Sequence, residues 1–180
     1  MRAFSYAVII MKAIIIGCPG SGKSTFARKL HVKTSAPLHH LDMLWLNSDK
    51  TTVSADVFDA KLQEIISDEN WIIDGNYAST MEMRFEECDT VFFLDYPLEV
   101  CLDGIESRKG QPRSDMPWVE KETDEEFVEY VKTFNENHGH KITELIEKYQ
   151  DREIIIFHSR KEAEEYLSAL KINESESRYE

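Results

Sequence analysis

The stretch Lys12–Ser24, KAIIIGCPGSGKS, decides the fold. Its first part, Lys12 to Ile16, is a short run rich in β-branched apolar residues, as a strand buried on both faces requires. Its second part, Gly17 to Ser24, satisfies the spacing GxxxxGK[ST], and Lys23 to Thr34 reads as the helix that follows. Strand, glycine loop and helix in that order give the pattern physical meaning. The glycines let the backbone wrap a phosphate with N–H groups turned inward, and the helix start adds its positive end. Gly17, Gly20, Ser21, Gly22, Lys23, Ser24 and Thr25 are therefore the candidate nucleotide-binding residues. Lys23 serves as a mobile point charge for the β and γ phosphates, and the Ser24 hydroxyl is offered to Mg²⁺. Cys18 reads as a small side chain that the loop tolerates.

Working outward, Pro37 to Leu41 reads as a weak second strand, and Ser54 as the cap of a helix with Val57, Phe58, Leu62, Ile65 and Ile66 at helical spacing. Trp71 to Ile73 and Thr90 to Leu94 are buried strands, each closed by an aspartate, Asp74 and Asp95. Leu98 to Ser107 is a helix after Pro97. Glu153 to Phe157 is a fifth strand, followed by a helix from Ser159 to about Leu170. Arg108 to Met116, with Gly110 and Pro112, reads as a mobile loop. Phe127, Val131 and Phe134, then Ile142, Leu145 and Tyr149, form an apolar stripe broken near Gly139 into two helices and read as core. Strands alternating with helices predict an α/β domain, a parallel sheet that binds ligands at the carboxyl ends of its strands.

The 180 residues suit one domain. We expect it over 11–171, with an N-terminal extension at 1–10, Met11 as an alternative start, and a frayed tail at 172–180. A net charge of −13 disfavours direct nucleic-acid binding, because a non-specific grip on a polyanion needs a broad basic surface. A local basic pocket for a nucleotide remains compatible with it. Cys18, Cys88 and Cys101 make an odd number without CxxC spacing, so a reducing cytoplasm is the expected setting. No apolar run approaches the roughly 20 residues of a membrane span.

Asp42, Asp74 and Asp95 follow strand ends, where a carboxylate can meet a metal's water shell or take a proton from a hydroxyl. Arg108 and Arg113 flank the Gly110–Pro112 loop and suit a lid that brings positive charge to a transferring phosphoryl group. Arg84 and Tyr77 lie after Asp74 and are candidates to approach an acceptor. His39 and His40, and His138 and His140, lack a zinc-ligand pattern.

These motifs resemble the adenylate kinase branch of P-loop kinases, and within it bacterial DNA topology modulation proteins. The resemblance spans about Met11 to Leu170. It rests on GCPGSGKS, LHHLDMLW at Leu38–Trp45, WIIDGNY at Trp71–Tyr77, TVFFLDYP at Thr90–Pro97, RKGQPRSDMPW at Arg108–Trp118 and HSRKEAEEYL at His158–Leu167. It implies a P-loop NTPase fold, a five-stranded parallel sheet of order 2-3-1-4-5 flanked by helices, with a short lid over about 108–118. It further implies Asp74 near magnesium, Arg108 and Arg113 as lid arginines, and Ser159 with Arg160 against the adenine.

One departure matters. Adenylate kinases hold the acceptor's phosphate with arginines after the second strand, and here no arginine occurs between Arg28 and Arg84. Without that planar fork, a nucleoside monophosphate is a poor acceptor. The expectation is an ATP- and Mg²⁺-dependent phosphotransferase, a small-molecule or nucleoside/nucleotide kinase with an unidentified acceptor, with Lys23, Asp42, Arg108 and Arg113 catalytic. Asp42, Asp74, Tyr77 and Arg84 would bind the acceptor, and Ser24, Asp74 and Asp95 the metal. The alternatives are a nucleotide-dependent regulatory ATPase with no acceptor and a scaffold that only binds nucleotide. Oligomeric state is left open.

Overall fold

A computed structural model of the chain describes residues 9–122 and 124–170. Residues 1–8 of the expected extension and the expected tail, 172–180, lie outside the described residues.

Strand β1, Lys12–Gly17, is central, and Ala13 to Ile16 are fully buried, as their unbroken apolar run requires. Around it the sheet is parallel, with order β2-β3-β1-β4-β5. β2 is Leu38–His40, β3 Trp71–Asp74, β4 Thr90–Leu94 and β5 Glu153–Phe157. Ile15 pairs with Asp74 on one side and Phe92 on the other, so the ends of β1, β3 and β4 share one edge. That edge carries the glycine loop and Asp74.

Helices flank the sheet: α1 Lys23–Thr34, α2 Leu41–Trp45, α3 Ala55–Ser67, α4 Ala78–Glu87, α5 Leu98–Ser107, α6 Glu125–Lys132, α7 His140–Lys148 and α8 Arg160–Ala169. α1 and α8 clamp one end of the core through Phe26, Phe92, Phe157 and Tyr166, whose rings lie 5.0 to 6.3 Å apart. α4 and α7 meet through Phe85 and Tyr149 and through an ion pair between Lys148 and Glu82.

Several sequence expectations shift locally. β2 is three residues long, paired only with β3, and its end turns directly into the short α2. Ser54 holds the N-cap position of α3 without a side-chain bond to the helix, and Val57 is exposed while Phe58, Leu62 and Ile66 are buried. The stripe from Phe127 to Tyr149 is not broken at Gly139. Gly139 keeps helical angles, φ −58° and ψ −39°, and a π turn over Asn135–Gly139 joins the two helices.

Candidate active site

At the carboxyl edge of β1 the chain must reverse within a few residues and enter α1. Gly20 does this at φ +85°, and a Cβ there would lie 2.0 Å from the Cys101 carbonyl oxygen of α5. Lys23 folds back over the loop and donates to the Gly17 and Cys18 carbonyls at 2.9 and 3.1 Å. Withdrawal from water lowers its pKa, while the carboxylates of Asp74 and Asp42 act in the opposite direction. The Ser21 hydroxyl is buried without a partner, and Thr25 sits at the exposed rim, where it accepts from Arg28 at 3.2 Å. Cys18 is buried, its thiol 3.8 Å from the Val131 carbonyl oxygen of α6.

The turn after β3 is tied to this loop. Asn76 accepts from the Gly17 N–H at 3.2 Å and donates to the Gly17 carbonyl at 2.9 Å. Asp74 is buried; one carboxyl oxygen meets His40 Nδ1 at 2.8 Å, and the other, Oδ1, is buried without a partner. Asp42, at the start of α2, accepts from the Tyr77 hydroxyl at 2.8 Å. Burial pushes the Asp42 carboxyl above the ordinary carboxylate range, against the Tyr77 bond, and Asp74 adds to the rise. Tyr77 is itself held in the left-handed region, φ 36°, at the N-cap of α4.

The structure departs from the sequence reading at Arg84. That residue is fully buried, and its guanidinium donates to the carbonyls of Thr80, Gly75, Asn76 and Tyr77. It is spent on shaping the turn and presents nothing to a small molecule; burial pushes its pKa down to about 10. Asp95 is also separated from the other two aspartates. It lies just past the end of β4, with the His158 imidazole at 3.6 Å, and does not line the cleft that holds Asp42 and Asp74.

The 108–118 segment folds across α1. Asp115, not singled out in the sequence, is buried between Arg28 and Arg113, each at 3.1 Å. Burial alone would raise its carboxyl, but Arg113 and the Ser24 hydroxyl hold it below the usual range. Arg113 also meets Glu120 at 3.0 Å, and Arg108 lies beside Glu120 and 5.6 Å from the Phe127 ring centroid. Ser159 caps α8 by accepting from the Glu162 N–H, while Arg160 lines the cleft and donates to the Val100 carbonyl at 3.0 Å.

Of the expected site residues, all except Gly17, Asp95, Arg84 and Ser159 border one cleft of about 1640 Å³, larger than the roughly 300–1,000 Å³ of a single small-ligand site. Phe127, Phe134 and Ile142 of the stripe read as core also border it, with Tyr130 and His138 beside them. Among the described residues no cluster of three or more His, Cys, Asp or Glu side chains could hold a metal alone. Magnesium does not need one: it uses one or two carboxylates, phosphate oxygens and water. The Ser24 hydroxyl and the orphaned Asp74 Oδ1 fit that donor set.

Asn76 and Asp115 were not among the expected site residues, and His40, which stands beside Asp42 in sequence, bonds to Asp74 instead. The DGNY run signalled a turn, but what Asn76 bonds to depends on β3 lying next to β1. No local pattern places Asp115 beside Arg28, because 87 residues separate them.

No protein-family model matches the sequence, and no curated protein does. Solved structures do match. Shikimate kinase from Bacteroides thetaiotaomicron has a TM-score of 0.57 at 17% identity, over 89% of this chain and 95% of that one. This chain shares the shikimate kinase fold. Shikimate kinase from Acinetobacter baumannii, in complex with shikimate, gives 0.56 at 16% identity, over 87% and 90%. That from Aquifex aeolicus gives 0.51 at 19%, over 87% and 90%. Shikimate kinases are P-loop kinases, and the sheet order here is the one expected from the sequence.

Proposed function

We propose that the protein is an ATP-dependent phosphotransferase acting on a small hydroxyl compound that carries no phosphate. The observation that carries this reading is Asp42: a carboxylate withdrawn from water, bonded to Tyr77, in the same cleft as the phosphate loop and Lys23. A scaffold that only binds nucleotide has no need of such a group, whereas phosphoryl transfer to an acceptor hydroxyl needs one to orient and deprotonate it.

In this reading Asp42 takes the acceptor's hydroxyl proton as that oxygen forms a bond to the γ phosphorus. The bond between that phosphorus and the β–γ bridging oxygen breaks, and ADP leaves with the electron pair. Lys23 and the loop N–H groups hold the phosphates, and Arg108 and Arg113 face the charge on the transferring group. Ser24 and Asp74 would hold Mg²⁺, which screens the phosphate charge when bound. Arg160 borders the nucleotide's base, with Ser159 as the cap that fixes its helix. The metal role expected for Asp95 and the acceptor role expected for Arg84 are not retained, given their placement.

Burial of Arg84 withdraws the one guanidinium that the sequence offered to the acceptor, which supports an acceptor without phosphate. The finer likeness to DNA topology modulation proteins belongs to the motifs and is compatible with this chemistry. The test is a transfer assay with ATP and Mg²⁺ against nucleosides, nucleoside monophosphates, sugars and shikimate. We expect transfer to a phosphate-free hydroxyl compound. Efficient transfer to AMP would overturn the acceptor assignment, and ATP hydrolysis indifferent to every acceptor would favour the regulatory ATPase.

A further inference from the structure

The cleft has a second wall that the phosphates do not use. Phe127 and Tyr130 of α6, Phe134, and His138 of the π turn form a connected ring cluster with centroids 5.2 to 6.2 Å apart. Such a stripe is ordinarily core, and Phe134 is, at 1% exposure. Tyr130 is 38% exposed, and Phe127 and His138 are half-buried, all three bordering the cleft.

These rings also carry unused polar groups. Among the described residues neither the Tyr130 hydroxyl nor a His138 ring nitrogen has a hydrogen-bond partner. His138 sits in the one segment where the helix widens to a π turn, a distortion that recurs at functional sites. The wall adjoins the phosphate loop, since the Cys18 thiol reaches the Val131 carbonyl. Across the same cleft stand Ala78 and Met81 of α4, just after the Tyr77 that holds Asp42.

Partly exposed ring faces edged by free donors and acceptors fit a flat heterocycle. An alicyclic polyol would leave the faces wet, and a plain hydrocarbon ring would leave the polar groups unpaired. Among the described residues Lys141 is the one cation that α6, the π turn and α7 present to the cleft, and Arg108, over the Phe127 ring, is paired with Glu120, so the wall offers no unpaired fork for a phosphate monoester. We propose that this wall binds the base of a nucleoside acceptor, stacked on Tyr130 and edged by His138, with a sugar hydroxyl directed to Asp42. The proposal rests on the kinase reading and names the acceptor class for that same cleft.

Isothermal titration of the full chain without ATP tests it, with uridine and guanosine as probes and myo-inositol and shikimate as non-aromatic hydroxyl controls. Each is titrated into the wild type, Lys23→Ala, Tyr130→Phe and Tyr130→Leu, with melting curves confirming that the variants fold. At least one nucleoside should bind about tenfold or more tighter than either control, because stacking is available only to the flat ring. Lys23→Ala should bind it like the wild type, and Tyr130→Phe should stay within about threefold, since both keep the stacking face. Tyr130→Leu should lose about tenfold. Failure of both nucleosides to bind, loss of binding in Lys23→Ala, or undiminished binding in Tyr130→Leu overturns the proposal. The two readings separate cleanly: phosphorylation of a control compound without nucleoside binding keeps the kinase and removes the aromatic subsite. Nucleoside binding that depends on Tyr130, with no transfer to any compound, keeps the subsite and removes the kinase.

Discussion

Lys23 and Asp42 concentrate the chemistry at the residue scale, and each is expected to fail differently. Lys23 is the cation whose tip already lies on the loop carbonyls, so Lys23→Ala should abolish ATP turnover with little change in melting temperature. Unchanged turnover in that variant would place the activity elsewhere. Asp42→Asn should keep ATP binding and lower kcat by about 10²- to 10⁴-fold, the usual contribution of a positioned base. Burial raises the Asp42 carboxyl, so the ionised, active form accumulates only above its ordinary value of 3.8, and kcat should rise with pH through that higher range. The same shift has an opposite sign for stability. A carboxyl raised on folding contributes stability below its unfolded pKa and loses it as pH rises through the folded one. At neutral pH, therefore, Asp42→Asn should melt at a higher temperature than the wild type while being far less active, a trade measurable by calorimetry beside the kinetics.

At the scale of elements, the phosphate loop is held as much by its neighbours as by its own glycines. α5 approaches so closely that a Cβ at Gly104 would stand 2.0 Å from the Gly20 carbonyl oxygen. Gly104→Ala must push α5 away from the loop; we expect a loss of about 1–3 kcal/mol, as for other overpacked cores, and weaker ATP binding. A stable variant with unaltered nucleotide affinity would mean that the loop is fixed by α1 and Asn76 alone. The turn after β3 follows the same logic. Its carbonyls are gathered by Arg84, and its side chain Asn76 clips the Gly17 peptide from both sides. The lid segment is anchored by Asp115 to α1, which places an acidic group against Ser24 as well as the arginines expected there.

For the molecule as a whole, a net charge of −13 and a cleft of about 1640 Å³ set the partners it can take. The basic side chains that border the cleft, among them Lys23, Arg28, Arg108, Arg113, Lys141 and Arg160, line one concave site in an acidic molecule, not a long track for a polymer. Mobility-shift measurements with duplex DNA at near-physiological salt should show no complex, and tight binding there would overturn the small-molecule reading. Among the described residues no helix is long and apolar enough to cross a membrane.

Much of this was legible along the chain, and the reason is locality. The strand, loop and helix over Lys12–Thr34 are specified by apolar runs, glycine spacing and helix propensity, all of which act over a few residues. The sheet order came from motif resemblance, since runs of buried strand carry no address for their neighbours. Sequence alone thus determined a phosphate loop on an α/β sheet and the carboxylates at its strand ends. Only the tertiary structure decided that Arg84 is consumed by a turn, that Asp95 stands apart, and that Asp115 meets Arg28. It also decided that Phe127, from a stripe read as core, borders the cleft together with Tyr130 and His138. Those outcomes depend on which surfaces close over which, and burial is a property of the packed chain, not of any stretch within it.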